Sequence, residues 1–194
     1  YRKNLYGITS GPWCAHILKR EYGMDADSFQ FPVDKEIYNT VFGNVKSRNK
    51  RILFFAKPEM DRRCFLIGTM ALREFHCIRP EYEIMFFGSG NAKQHRQSYP
   101  VTYLDVVPTL RDLALLYSTS AAGLVFSTTN PSLVPYEMMA CGLPVIDLNR
   151  PGNEVNYDGR RDIALLADAD PVRLANDMAA LLDNPENLAL RSAN

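Results

Sequence analysis

The chain has 194 residues, of which 46% are hydrophobic and 11% aromatic, and its 22 basic residues equal its 22 acidic residues in number. This composition is typical of a globular domain with an apolar core and excludes a disordered chain. The zero net charge and the lack of a basic block argue against nucleic acid as a partner. The four cysteines lack metal-binding spacing, and no run of about 18 apolar residues occurs. We therefore expect a soluble, cytoplasmic protein without a metal site.

The first 48 residues are predicted to form a connector that packs on the main domain. The segment Thr9–Met24 predicts a helix that begins after Ser10 and is ended by Gly23. The next segment, "FQFPVDKEIY" from Phe29 to Tyr38, predicts a short strand and a turn at Pro32. The chain also starts without Met, in a stretch typical of the middle of an element, which indicates a piece of a longer protein.

From residue 49 onward, short apolar runs alternate with longer amphipathic ones. This is the pattern of β-α units that form a parallel sheet buried on both faces. Six runs are predicted strands: Arg51–Ala56, Glu83–Gly88, Val101–Val106, Ala122–Ser127, Pro144–Leu148 and Asp162–Ala167. Four runs are predicted helices: Arg63–Ile78, Thr109–Ser120, Pro131–Gly142 and Pro171–Asp183. Residues 49–194 are therefore predicted to form one α/β domain, a Rossmann-like, doubly wound parallel sheet of about six strands.

The loops that follow the first two of these strands carry candidate ligand contacts, because open parallel sheets bind ligands at the carboxyl ends of their strands. Lys57, Arg62 and Arg63 supply enough positive charge to hold one anionic group, although a polar surface loop explains them as well. Gly88 and Gly90, in "FGSGN", let a ligand approach the backbone closely. They do not form a G-x-G-x-x-G motif, so a nicotinamide site is poorly supported.

The loop after the fourth strand predicts an anion site. In "STTNP", Asn130 is expected to cap the next helix and Pro131 to occupy its first position. The amides of Ser132 and Leu133 would then be free, and the positive end of the helix dipole would favour a phosphate.

Glu137 lies in this predicted helix among apolar and small neighbours, so its carboxylate is expected to be partly buried. A buried carboxylate is costly unless it is paired or accepts hydrogen bonds. Two explanations stay open from the residues alone. Glu137 accepts hydrogen bonds from ribose hydroxyls of a ligand whose phosphate lies at the helix start, or it forms a structural salt bridge with a neighbouring element.

Three segments resemble the C-terminal, nucleotide-sugar-binding domain of GT-B glycosyltransferases of family 4. "YEMMACGLPVIDL" is similar to the signature E-A-M-A-C-G-x-P-V-V, and "FFAKPEMDRRCF" to G-R-x-x-x-x-K-G, with Lys57 at the arginine position and Arg63 at the lysine position. "SGPWCAHILKREYG" followed by "FPVDKEIY" is similar to the segment that joins the two GT-B domains. The resemblance covers nearly the whole chain and is nearest to bacterial rhamnosyltransferases of surface-polysaccharide assembly.

This resemblance implies a role for each matching position. Lys57 and Arg63 would contact the diphosphate, Glu137 the ribose, and Tyr103 with Leu104 would border the base. The remaining donor contacts would be Gly88, Thr129, Asn130, Pro131, Ser132 and Leu133. The chain departs from the family at Thr129, where the family has its first glutamate, and in the exchanged types of the arginine and the lysine, which alters hydrogen-bond geometry.

The function indicated is binding of a nucleoside-diphosphate sugar for transfer of the sugar to a glycan acceptor, with no cofactor and no metal. Half of a GT-B enzyme is expected to bind the donor but to be nearly inactive alone. Its partners would be the donor and an N-terminal GT-B domain that binds the acceptor, and any peripheral membrane association would occur through that domain. The alternatives are a non-catalytic Rossmann-like binding or interaction module and, less favoured, an epimerase-type or flavodoxin-like domain.

Overall fold

The computed structural model of the protein describes residues 4–42, 48–129 and 132–193. The connector contains strand β1 (Gly7–Ser10), helix α1 (Pro12–Tyr22) and strand β2 (Ala26–Phe29). The two strands pair in parallel and form a small sheet of their own. Helix α1 begins one residue later than Gly11, whose φ of 81° turns the chain out of β1, a backbone angle that glycine adopts easily.

Six further strands form the central sheet. They are β3 (Arg51–Phe55), β4 (Glu83–Phe87), β5 (Thr102–Tyr103), β6 (Ala122–Leu124), β7 (Val145–Leu148) and β8 (Ala164–Ala167). All pair in parallel, in the order β5-β4-β3-β6-β7-β8. The strand order reverses between β3 and β6, which is the switch point where doubly wound sheets bind ligands. The predicted six-stranded, doubly wound α/β sheet is thereby confirmed.

Helices cover both faces of this sheet. They are α2 (Phe65–Ile78), α3 (Leu110–Thr119), α4 (Val134–Ala140), α5 (Pro151–Asn156), α6 (Pro171–Asp183) and α7 (Pro185–Ala193). Side chains of β3 alternate between two cores: Ile52 and Phe54 pack with α2 and α6, and Leu53 packs with α3 and α4. Because successive side chains of a strand point to opposite faces, one apolar strand fills both cores.

Several predicted elements differ from the observed ones. Helix α1 lies within the predicted segment Thr9–Met24, begins after Ser10 and is ended by Gly23 as predicted, whereas strand β1 was not predicted. Strand β2 ends at Phe29, where the predicted strand was expected to begin. Helices α5 and α7 were not predicted. Helix α4 starts at Val134 instead of Pro131, and Ser132 and Leu133 precede the helix.

Arg48 anchors the end of the connector region to the domain. Its guanidinium donates hydrogen bonds to the carbonyls of Ser120 (2.9 Å) and Gly142 (2.6 Å), just beyond the ends of α3 and α4. Carbonyls at helix ends lack partners within the helix, so one arginine satisfies two of them. Over the residues that the structure describes, no helix has the length and apolar character required to span a membrane.

Candidate functional site

Two predicted diphosphate contacts meet at Phe55, the last residue of β3. The Lys57 ammonium lies 5.6 Å from the centroid of the Phe55 ring, and the Arg63 guanidinium carbon lies 5.4 Å from it. Such distances are those of cation–π contacts. Lys57 also lies 3.7 Å from the Glu59 carboxylate. The structure therefore brings both cations to the carboxyl edge of β3, beside the switch point.

Arg63 spans the switch point. It ends the short 3-10 turn Asp61–Arg63 that follows β3, and its guanidinium donates a 3.2 Å hydrogen bond to the carbonyl of Phe126, which follows β6. Only 5% of Arg63 is exposed. Burial, together with the neighbouring Arg62, lowers the pKa of Arg63 to about 10, and Asp147 opposes that change. Arg63 is thus still charged at neutral pH.

Gly88 lies directly over the same aromatic ring. Its φ is 98°, and a Cβ atom there would lie 2.5 Å from the Phe55 ring. Its amide donates a 2.7 Å hydrogen bond to the carbonyl of Asp105. The glycine therefore lets the loop after β4 pack closely on Phe55, the ring that both cations contact.

Tyr103 and Leu104 lie farther along the same edge, at the end of β5. The Tyr103 ring packs edge-on against Phe86, and its hydroxyl donates a 3.4 Å hydrogen bond to the carbonyl of His95. The amide of Leu104 donates to the carbonyl of Phe86, and its side chain packs into the core on the α3 and α4 side. Both residues are half-buried.

The predicted helix start is wrong in position. Asn130 and Pro131, which were expected to begin the helix, lie outside the described residues. The residue that precedes α4 is Leu133, and the amide of Val134 donates a 3.4 Å hydrogen bond to the hydroxyl of Ser132. One of the amides at the helix start is therefore already partnered, and the residue at the cap position, Leu133, provides no side-chain cap.

Thr129 stands at the position where the family resemblance implies a glutamate. It is exposed and lines a small cavity together with Trp13, Arg150 and Asn153. The indole of Trp13 packs on Gly152 at the start of α5, so α1 of the connector touches this part of the domain. Thr129, which belongs to the loop after β6, is thus close to helix α1 of the connector.

Glu137 is buried, with 9% of its surface exposed, as expected. Burial raises the pKa of its carboxyl, and the facing hydroxyl of Tyr38 opposes the rise, although their geometry falls short of a regular hydrogen bond. Among the described residues, no cation forms an ion pair with Glu137. The structural salt bridge that was one explanation of this carboxylate is therefore not formed within the described part of the chain.

A polar cavity that the sequence did not reveal lies beside Arg63. Ser132, Asp147, Asn156 and Tyr157 line it as well. The Nε atom of Arg63 and both amide atoms of Asn156 are buried and lack hydrogen-bond partners among the described residues. Buried polar groups nearly always have a partner, and this cavity of about 10 Å³ has room for about one water molecule. Asp147, an acid in the apolar run "PVIDL", was the one available signal.

No group of three or more His, Cys, Asp or Glu side chains within the described ranges is placed to hold a metal ion. The chemistry that the site offers is instead cationic and amide-based. Lys57, which is half-buried, and Arg63, which is buried, lie at the carboxyl edge of β3 beside the switch point, and we call this pair the edge site. Such cations are suited to binding a diphosphate.

The fold is that of the Rossmann-like C-terminal half of group 1 GT-B glycosyltransferases. The C-terminal domain of the group 1 glycosyltransferase LpcC from Francisella tularensis matches with a TM-score of 0.65 and 12% identity, over 84% of this chain and 94% of that one. HepE of Anabaena, solved with UDP and glucose, matches with a TM-score of 0.73 and 16% identity, over 96% of this chain and 56% of that one.

The chain belongs to the family of WsaF C-terminal domains, whose model matches residues 50–179. It is also similar to the O-antigen biosynthesis protein RfbC of Myxococcus xanthus. The two are 29% identical over 198 aligned residues, and the match covers 99% of this chain. The chain spans only 15% of the length of that relative.

Proposed function

We propose that this domain holds a nucleoside-diphosphate sugar, with its diphosphate at Arg63 and Lys57, and serves a glycosyltransferase that passes the sugar to a glycan acceptor. The observation that carries the proposal is the position of Arg63, a buried cation in the crevice between β3 and β6. Open α/β sheets bind their ligands in that crevice. The UDP bound by the structurally similar HepE is a ligand of the proposed kind.

The role of the two cations in transfer follows from where charge develops. The acceptor hydroxyl attacks the anomeric carbon and its proton passes to solvent, while the bond from that carbon to the diphosphate oxygen breaks and its electron pair leaves with the diphosphate. Arg63 and Lys57 stabilise this departing charge, which is the place where fixed positive groups accelerate a reaction most. In this proposal Arg63 and Lys57 stabilise the leaving diphosphate, as a bound metal ion does in other enzymes.

Glu137 is proposed to accept hydrogen bonds from the ribose, and Tyr103 with Leu104 to border the base. In support, no described cation forms an ion pair with the Glu137 carboxylate, and the hydroxyl of Tyr38 faces it. For this role the side chain turns outward from Tyr38 toward the start of α4. The direction is favourable, because helical side chains lean toward the N-terminus of their helix.

A preceding domain is proposed to cover the small sheet of β1 and β2. Parallel sheets are normally buried on both faces, yet α1 covers one face here and apolar side chains are exposed. Tyr6 is 60% exposed, Ile8 74% and Phe29 45%. We propose that the acceptor site lies between this preceding domain and the edge site, that the present chain alone binds the donor with little turnover, and that the protein acts in the cytoplasm.

Calorimetric titration of the chain with a panel of nucleoside diphosphates tests the binding function. We expect at least one to bind with a dissociation constant below the millimolar range. No binding at millimolar concentration by any member of the panel would contradict the proposal. Transfer or donor hydrolysis by the chain joined to the preceding domain of the longer protein tests the enzymatic part.

A second candidate function is a nucleotide-binding module without catalysis. The feature that favours it is Thr129: the family resemblance implies a glutamate at this position, and this chain has an exposed threonine there. The two functions differ in one measurement. Binding without transfer or hydrolysis in the longer protein indicates the module, whereas sugar transfer indicates the enzyme.

A further inference from the structure

Asp147 is a buried acid in the middle of the apolar strand β7, with 4% of its surface exposed. One carboxylate oxygen accepts hydrogen bonds from the amides of Leu148 (2.8 Å) and Ser127 (3.3 Å). The other accepts a 3.2 Å hydrogen bond from the hydroxyl of Tyr157, at the end of α5. Asp147 therefore joins three segments that surround the cavity beside Arg63.

Arg63 and Asp147 are connected through a single peptide group. The carbonyl of Phe126 accepts from Arg63, and the amide of Ser127, which belongs to the same peptide, donates to Asp147. The two charged groups do not form a direct ion pair with each other. A hydrogen-bonded chain of this kind polarises its members, so a change of charge at one end is felt at the other.

We propose that Asp147 is the positioning residue for Arg63, and that the protein takes up a proton on Asp147 when a nucleoside-diphosphate sugar binds. This inference rests on the proposed function. While Asp147 is ionised, its charge offsets that of Arg63. A bound diphosphate takes over as the counter-charge of Arg63, and the two negative groups then disfavour each other unless Asp147 is protonated.

Asp147 is the group around this cavity that changes charge near neutral pH. Burial raises its pKa from 3.8 to about 7, and its hydrogen bonds and Arg63 oppose that rise. The other titratable or charged groups that face it from neighbouring elements are Arg63, Cys64, Tyr136 and Tyr157. Burial raises the pKa of the thiol and of both phenols, so these three stay neutral, and Arg63 stays charged, between pH 6 and pH 8.

The expected consequence is an affinity that falls as the pH rises through 7. From pH 6 to pH 8 we expect a decrease of about fivefold, the size typical of unit charges separated by one peptide group in a partly solvated site. A sugar ester of a nucleoside diphosphate is the appropriate ligand, because its phosphates do not change charge in this range. The pH dependence then reports on the protein alone.

Proton uptake is measured by calorimetry of UDP-glucose binding at pH 7 in two buffers of different ionisation enthalpy. If another nucleoside diphosphate binds best in the panel, its glucose ester replaces UDP-glucose. We expect net uptake by the unaltered chain. Binding without net proton exchange would overturn the role of Asp147 and leave the proposed function intact, whereas absence of binding by every nucleotide would overturn both.

Asp147→Asn keeps an oxygen that accepts from the amide of Ser127 but removes the charge. We expect this variant to bind without proton uptake and with nearly constant affinity from pH 6 to pH 8. The matched control is Asp177→Asn, on the exposed face of α6, which should retain the uptake of the unaltered chain. Undiminished uptake by Asp147→Asn would refute the inference, and the measurement on the unaltered chain decides it if the variant does not fold.

Discussion

Arg63 and Asp147 hold opposite ends of the Phe126–Ser127 peptide, one through the carbonyl and the other through the amide. The peptide directly follows β6, at the switch point of the sheet. Because both side chains are buried, this arrangement fixes the loop after β6 and the orientation of the guanidinium at the same time. The edge site is thus a rigid cationic site prepared before any ligand arrives.

Replacing Arg63 by Ala should weaken binding of a nucleoside diphosphate by about 10–100-fold, since hydrogen bonds to charged groups contribute about 1.5–3 kcal/mol. Binding of the bare nucleoside should change little. Calorimetry with both ligands provides the comparison, and Arg173→Ala, which removes an exposed arginine of α6, is the control. Equal losses for nucleoside and nucleoside diphosphate would remove Arg63 from the phosphate site.

Glu137→Gln should weaken binding of a ribonucleoside diphosphate by about tenfold, because the amide is a poorer acceptor of ribose hydroxyl hydrogen bonds. The same variant should discriminate less than the unaltered chain between UDP and its 2′- and 3′-deoxy analogues. Melting temperatures should change little, since burial already disfavours the charged form. A large loss of thermal stability with unchanged affinity would instead indicate a structural role.

The stability of the fold should depend on pH through Asp147. Its pKa is about 7 in the folded protein, against 3.8 as the ordinary value. Because the folded protein holds the proton on Asp147 more tightly than the unfolded chain, the protonated carboxyl contributes its full stability below the unfolded pKa of 3.8. That contribution to the free energy of unfolding is lost as the pH rises through the folded pKa of about 7. Asp147→Asn should therefore gain stability relative to the unaltered chain between pH 4 and pH 8, by roughly 3 kcal/mol.

Urea unfolding of both proteins at several pH values measures this difference. A gap between the two free energies of unfolding that stays constant from pH 4 to pH 8 would show that Asp147 does not titrate in this range. If the advantage of Asp147→Asn in free energy of unfolding became smaller as the pH rises, the pKa of Asp147 would be lowered in the folded protein, contrary to this prediction.

Gly88→Ala should displace Phe55 and disturb both cations. Its Cβ would lie 2.5 Å from the ring, on a backbone with a φ of 98°, so we expect a loss of about 1–3 kcal/mol in stability. Affinity for a nucleoside diphosphate should decrease as well. Gly90→Ala is the control, because nothing lies within 4 Å of its added Cβ. Similar unfolding and binding curves for the two variants would contradict the role assigned to Gly88.

Much of the architecture could be predicted locally. The six strands of the sheet follow from short apolar runs, because a parallel strand covered on both faces needs apolar side chains at nearly every position. The burial of Glu137 follows from the helical spacing of its apolar neighbours, and Lys57, Arg63 and Gly88 follow from their places directly after strands. These features depend on residues close together in the chain.

The remaining features depend on contacts between distant segments. Strand β1 is stabilised by pairing with β2. The start of α4 is an exception, because the helix-start signals in the sequence indicated Pro131 and the helix begins at Val134. The partners of Arg63 and Asp147 come from elements 63 and 20 residues away. The sequence by itself determined the sheet, its family and the edge that carries the charges. Only the tertiary structure decided that a cation and an acid meet across one peptide, because burial and hydrogen-bond geometry arise when the strands are assembled side by side.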